Sequence, residues 1–275
     1  MKFRRTSVLI AAAALTTAGL AACGGGSSSG GGDSLTVGIK YDQPGLGLKE
    51  GSTYTGFDVD VAKYVADKLG YKEDQIEWKQ APSPQRETLL QSGQVDMIVA
   101  TYSITDERKQ KVDFAGPYFI AGQDLLVRSD DNAIKGPKDL EGKKLCSVKG
   151  STSASHIHDQ YPKVQLQEYD TYSKCAEALA NGAVDALTTD NTILAGYAAQ
   201  PQYKGKLKVA GNTFSEEVYG IGIKKGDKDK CTKINDALKS MVDDGSWDKF
   251  VKKNFGPANF KVDESKNPPK PGGNC

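Results

Sequence analysis

The sequence predicts an α/β protein made of two similar units. Strand-like and helix-like segments alternate from Leu35 onward, the order expected where helices cover a largely parallel sheet. Residues 95–100 form a nearly unbroken apolar run, which suits a strand buried on both faces. The alternation then restarts after the middle of the chain, near Asp124.

Residues 35–39 read as the first strand, ending at Lys40, and a Gly-rich loop over 42–48 leads to an extended stretch near Tyr54. Gly56-Phe57-Asp58 opens a helix, because Val59, Ala62, Val65, Ala66 and Leu69 recur at helical spacing. Residues 76–78 are a second strand, 86–92 a helix stopped by Gly93, and 95–100 the buried strand. In the second unit 124–127 is extended, 145–148 a strand, 153–161 a helix and 164–169 a strand. A helix over 173–181 closed by Gly182, a buried strand over 183–188 and a helix over 192–200 follow. An extended segment over 219–223 and helices over 228–244 and 247–254 complete the pattern. From Lys261 the composition turns to Lys, Asn, Pro and Gly, and no ordered core is expected there. Two lobes result, 34–124 with 220–260 and 125–219, plus a tail over 261–275. Crossings near 123–127 and 217–221 join them, and a cleft between them gathers loops from the carboxyl ends of strands.

The bulk properties point to a soluble domain without an affinity for polyanions. The 275 residues carry 36 Lys+Arg against 35 Asp+Glu, so nucleic acid is not an expected partner. The first apolar run, 8–22, is shorter than the roughly 20 residues a membrane span needs. Its basic flank of Lys2, Arg4 and Arg5 and its small-residue end describe a secretory leader instead, over 1–23. Leu20-Ala21-Ala22-Cys23 resembles the bacterial lipobox, in which the cysteine becomes the acylated terminus. An all-Gly/Ser stretch and Asp33 complete a flexible tether over 24–33. These features predict a bacterial, Gram-positive lipoprotein bearing palmitate on Cys23, on the extracellular face of the cell membrane.

Cys146, Cys175, Cys231 and Cys275 remain. An even number in an oxidising compartment favours two disulfides, and four cysteines allow three pairings. Cys146–Cys175 lies within one lobe and Cys231–Cys275 would pin the tail to the last helices, so this pairing is favoured. No two are spaced C-x-x-C, and His156 and His158 have no third ligand nearby, so no metal is expected. Gly45-Leu46-Gly47 lacks the rest of a phosphate loop and no serine sits in a nucleophile motif. Neither an enzyme nor a cofactor is expected.

Five motifs in order carry a resemblance: Gly56-Phe57-Asp58-Val59-Asp60, the run Thr101-Tyr102-Ser103-Ile104-Thr105-Asp106-Glu107-Arg108, Val112 through Tyr118, Gly150-Ser151-Thr152 and Thr188-Thr189-Asp190. Together they resemble the family 3 extracellular solute-binding proteins, the polar amino acid receptors of ABC importers, from about Leu35 to Phe255. The resemblance implies a type II periplasmic-binding-protein fold, closure of two lobes on a free amino acid, and delivery by a monomer to separate permease subunits. The Asp42-Gln43-Pro44-Gly45-Leu46-Gly47 loop is similar to that of actinobacterial glutamate-uptake receptors.

An amino acid presents a carboxylate and an ammonium on one carbon, and an arginine fork matches the carboxylate. The resemblance gives that role to Arg108, with Thr101 and Ser103 at the same end of the ligand and a backbone N–H near Thr152 facing it from the second lobe. Asp190 is expected to meet the ammonium, with capping of the following helix as its rival role. The resemblance sets Lys40, Ser83 and Arg86 against the ligand side chain, where two cations favour L-glutamate, then aspartate or glutamine. Tyr172 and Thr189 complete the second-lobe wall. Asp58 and Asp60 read as helix capping and surface. A dehydratase-like enzyme on the same fold and an amino acid sensor lipoprotein are the alternative functions.

Overall fold

The computed structural model describes residues 34–275; the expected leader with Cys23 and the whole tether lie outside the described residues. β1 (Leu35–Ile39) buries Val37 and Ile39 and pairs in parallel with β5 (Ile76–Gln80) and β6 (Met97–Ile98). Between β1 and β5 lie β2 (Asp42–Gln43), β3 (Gly47–Glu50) and β4 (Thr53–Thr55), a small antiparallel sheet, and then α1 (Phe57–Lys68). Gly56 adopts φ 120 because a Cβ there would overlap the Leu46 carbonyl oxygen. The turn it allows seats Phe57 among Tyr118, Phe119, Trp247 and Phe255.

α2 (Arg86–Gln91) precedes β6, and the short α3 (Asp106–Lys109) precedes β7 (Asp113–Ala121). The expected strand over 95–100 contracts to Met97–Ile98. Its flanks still bond to β1, Asp96 N to Thr36 O and Val99 N to Gly38 O, but the chain turns away at Thr101 with φ 45. β7 was not foreseen as a strand; its Asp113-Phe114-Ala115-Gly116-Pro117 stretch shows no regular alternation.

The second sheet contains β8 (Gln123–Arg128), β9 (Lys144–Val148), β10 (Gln165–Tyr169), β11 (Ala186–Asp190) and β12 (Leu207–Val209), in the order β10-β9-β11-β8-β12. β9 runs parallel to β10 and β11, whereas β8 is antiparallel to β11 and β12. α4 (Thr152–Gln160), α5 (Tyr172–Ala180) and α6 (Asn191–Ala199) connect the strands of this lobe. β13 (Glu217–Ile223) returns to the first sheet, whose order is β5-β1-β6-β13-β7, and pairs antiparallel with β6 and β7. α7 (Lys228–Asp243) and α8 (Ser246–Phe255) then pack on α1. Sheet membership changes at Gly122 and again before Glu217, so Gln123 and Asp124 belong to the second sheet and 217–219 to the first.

Disulfides join Cys146 to Cys175 and Cys231 to Cys275. The tail is ordered, contrary to the compositional expectation. β7 is the edge of its sheet, and edge strands need cover. Asn267 Nδ2 donates to Ile120 O and its Oδ1 accepts from Ile120 N, both at 2.9 Å, while Gly272 N donates to Gly116 O. The lobes also meet through the β2 loop. Asp42 accepts from Ser173 N at 3.2 Å and from Tyr197 Oη, and the Pro44 carbonyl rests against Gly196 of α6.

A Cβ at Gly196 would overlap the Pro44 oxygen, a rigid backbone atom. Gly196→Ala should therefore hold the lobes apart at a cost of about 1–3 kcal/mol to the closed form, read as a larger radius of gyration in small-angle scattering. Joint Cys231→Ser and Cys275→Ser replacement should lower stability by about 3–4 kcal/mol, measured by urea denaturation, with the tail becoming protease-sensitive.

Candidate functional site

A small, tightly closed cavity lies between the lobes, lined by Ser83, Arg86, Thr101, Arg108, Ser151, Thr152, Ser153, Tyr172, Asp190 and Ile193. It sits where β1 and β6 end in one sheet and β9 and β11 end in the other. Carboxyl ends of parallel strands expose unpaired backbone and helix N-termini, which is why ligand sites gather there.

On the first lobe a 3₁₀ turn over Ser83–Gln85 delivers Arg86 to the start of α2. Its guanidinium is 3% exposed and lies 4.9 Å from the Tyr102 ring centroid, with Nε donating to Ala81 O at 3.5 Å. Arg108 approaches the same ring at 5.0 Å. Its Nη1 donates to Ser103 O at 2.8 Å and its Nη2 to Gly150 O at 3.3 Å, across the cleft, while Nε faces Glu87 at 3.5 Å. Each terminal nitrogen retains a second N–H. Burial, then the like charge of Arg108, hold the Arg86 pKa below its ordinary value. Among the described residues Arg86 makes no ion pair. Lys40, 2% exposed, is pushed down to about 8 by burial first and then by Arg86. Its Nζ lies 5.7 Å from the Tyr172 ring centroid.

Thr101 carries a positive φ of 45, a strained setting for a β-branched residue. Asp58 holds it there. This carboxylate is fully buried, accepting from Thr101 N at 2.9 Å and from Tyr118 Oη at 2.8 Å, and burial raises its pKa to about 6. Asp60 is buried as well and pairs with Lys253 at 2.8 Å. The expected assignment of this pair to capping and surface is thus wrong: α1 brings both inward, one to the site and one to α8.

On the second lobe Ser151 caps α4, its Oγ accepting from Ala154 N at 3.0 Å. Thr152 and Ser153 open the helix, where first-turn N–H groups have no intrahelical partner. Asp190 precedes α6 but makes no side-chain capping bond. Its carboxylate is 4% exposed and accepts from Tyr219 Oη at 2.5 Å and Ser153 Oγ at 3.5 Å. Burial, then repulsion from Glu217, raise its pKa to about 8.

Of the residues expected at the site, Ser83, Arg86, Thr101, Arg108, Thr152, Tyr172 and Asp190 line the cavity. Lys40 lines an adjoining recess with Asp42, Gln80 and Lys149. Ser103 and Thr189 stand behind the walls. Ser103 Oγ donates to Glu217 and lies 3.4 Å from Thr152 Oγ1. Thr189 Oγ1 is buried and faces the Tyr172 phenol. Sequence reasoning missed Ser153, Ile193, Tyr219 and Glu217. The sequence held only a faint signal for Glu217: it is the second of two adjacent acids and opens an otherwise apolar strand, two residues before Tyr219 and so on the same strand face.

Known proteins resemble this chain over most of its length. A family model described as bacterial extracellular solute-binding proteins, family 3, matches residues 35–257. The glutamate-binding protein GluB of Corynebacterium glutamicum is 51% identical over 242 residues, covering 84% of this chain and 81% of that protein. The glutamine-binding ABC transporter protein GlnH of Bacillus subtilis is 41% identical over 224 residues, covering 80% and 81%. Among solved structures, an ancestral arginine-binding protein bound to glutamine superposes with a TM-score of 0.75 at 40% identity, covering 81% of this chain and 98% of that one.

Asp58→Ala would strand the buried Tyr118 hydroxyl and release Thr101. A loss of about 2–4 kcal/mol in folding stability is expected, measured by urea denaturation, with Thr101→Gly expected to stay near wild-type stability.

Proposed function

The chain belongs to the bacterial extracellular solute-binding proteins, family 3, and we propose that it is the receptor of an ABC importer for L-glutamate, with aspartate or glutamine as weaker ligands. The observation that carries this reading is the buried Arg86 guanidinium, which has no carboxylate partner among the described residues and is repelled by Arg108. Leaving a buried ion unpaired costs several kcal/mol, so the pocket favours an occupant that brings a second carboxylate.

In this reading Arg108 takes the α-carboxylate with a backbone N–H from the start of α4 near Thr152. Thr101 and Ser103 serve the same end of the ligand, and Asp190 takes the ammonium. Lys40, Ser83 and Arg86 take the side-chain carboxylate, while Tyr172 and Thr189 form the second-lobe wall. Contacts from both lobes coexist only when the cleft is closed, so the ligand selects the closed form. That form is what the permease subunits would recognise. The proposal extends to a monomer held by acylated Cys23 on the outer face of the cell membrane.

Titration calorimetry against the twenty amino acids tests the reading. Arg108→Ala should abolish binding of all of them, whereas Arg86→Ala should weaken L-glutamate by about 100-fold and L-glutamine far less. Equal losses for both ligands in Arg86→Ala would overturn the side-chain assignment. The pH dependence has two signs. Asp190 must be ionised to hold an ammonium, so affinity falls as pH drops below about 8. Lys40 must keep its proton to hold a carboxylate, so affinity falls as pH rises above about 8. L-Glutamate affinity should therefore peak near pH 8, and Lys40→Met should flatten the alkaline side.

A further inference from the structure

Glu217 stands at the seam of the two lobes with no role in the reading above. It opens β13, is 5% exposed, and gathers hydroxyls from both lobes and the crossing segment. Its Oε2 accepts from Ser103 Oγ at 2.6 Å and from Thr152 Oγ1 at 2.8 Å, and its Oε1 accepts from Ser215 Oγ at 2.9 Å. Among the described residues it makes no ion pair. Asp190 is in the same condition, supported by the Tyr219 and Ser153 hydroxyls, and the two carboxylates repel one another. Two buried anions without a cation between them define a place that a cationic group stabilises.

The hydroxyl protons sharpen this. A hydroxyl has one proton to give and two lone pairs. Ser103 and Thr152 approach each other at 3.4 Å, but each lies closer to the Glu217 carboxylate, and a charge-assisted hydrogen bond is the stronger. With both protons committed to Glu217, the Thr152 hydroxyl on the cavity wall and the Ser103 hydroxyl behind it have lone pairs only left to offer. They suit a donor and not a carboxylate.

We propose that Glu217 is a positioning residue that selects a free α-ammonium: it turns Ser103 and Thr152 into hydrogen-bond acceptors and adds its charge to that of Asp190. The inference rests on the amino acid reading of the site. It adds that discrimination between an amino acid and its des-amino analogue is built into the hinge, on a strand that contacts both lobes.

The test compares L-glutamate with glutarate, which lacks the amino group, by calorimetry on the wild type, Glu217→Gln and Thr152→Val. Glu217→Gln is expected to weaken L-glutamate by about 10-fold or more and to leave glutarate within about 3-fold, so the ratio of the two affinities shrinks. Thr152→Val, which leaves Glu217 intact, should move the ratio in the same direction and keeps the test open if Glu217→Gln does not fold. A ratio unchanged from the wild type in the folded variants, whether both ligands weaken together or neither does, overturns the proposal. Should the wild type prefer L-glutamine, the side-chain reading fails, and the same comparison with L-glutamine and glutaramate still decides the role of Glu217. Failure of the wild type to bind any of these four compounds overturns both.

Discussion

Burial of unmatched charge between the lobes is the constraint on which the rest of this structure depends. Lys40, Arg86, Asp190 and Glu217 are withdrawn from water around the cleft, and none of them finds an oppositely charged partner in ion-pair contact among the described residues. Arg108 is better provided for, with two carbonyl oxygens and Glu87. Desolvating an ion costs several kcal/mol unless another charge answers it. A protein gains nothing in stability from such an arrangement. It gains selectivity, because an occupant is favoured in proportion to how well its own charges answer those of the walls.

Holding charges apart requires a scaffold that does not relax around them. The aromatic face of Tyr102 lies beside both guanidiniums, and its hydroxyl donates to Glu87, the carboxylate that Arg108 also meets. Thr101 is held in a strained backbone conformation by Asp58, itself presented by the first turn of α1. Gly56 makes that presentation possible by letting the chain pass close to Leu46. On the second lobe Gln123 ties the crossing segment to the cavity wall, its Nε2 donating to Ser153 O and Thr188 Oγ1 while its Oε1 meets His156. Under the proposed function, a ligand touching both sides of the cavity biases the relative position of the lobes.

Much of this was legible in the sequence. Helical spacing located α1, α5, α7 and α8 to within a residue or so, because each buries one stripe of side chains and the stripe repeats locally. Most of the expected site residues line one cavity, because they lie at the carboxyl ends of strands whose apolar runs are visible in the chain. Where the reading failed, the cause was long-range. β6 is shorter than its apolar run because Thr101 turns into the cleft. The tail is ordered because an edge strand and a cysteine far away in sequence capture it.

The sequence by itself determined the α/β class, the two-unit organisation and the excess of cations near the first-lobe strand ends, since these follow from local periodicity and from residue types at fixed positions; it favoured one cysteine pairing of three, which the structure bears out. Tertiary structure alone decided which charges are buried and which are answered. Asp58 and Asp60 have the same residue type and differ by half a helical turn, yet one anchors the site and the other binds Lys253. For Asp190 helix capping stood as a rival role, and the residue is a buried carboxylate without a capping bond. The role of Glu217, as distinct from its place on the strand, became visible only when two hydroxyls from opposite lobes converged on it. The energy of a charge depends on how much water and which partners surround it, and those are set by chain segments far apart in sequence.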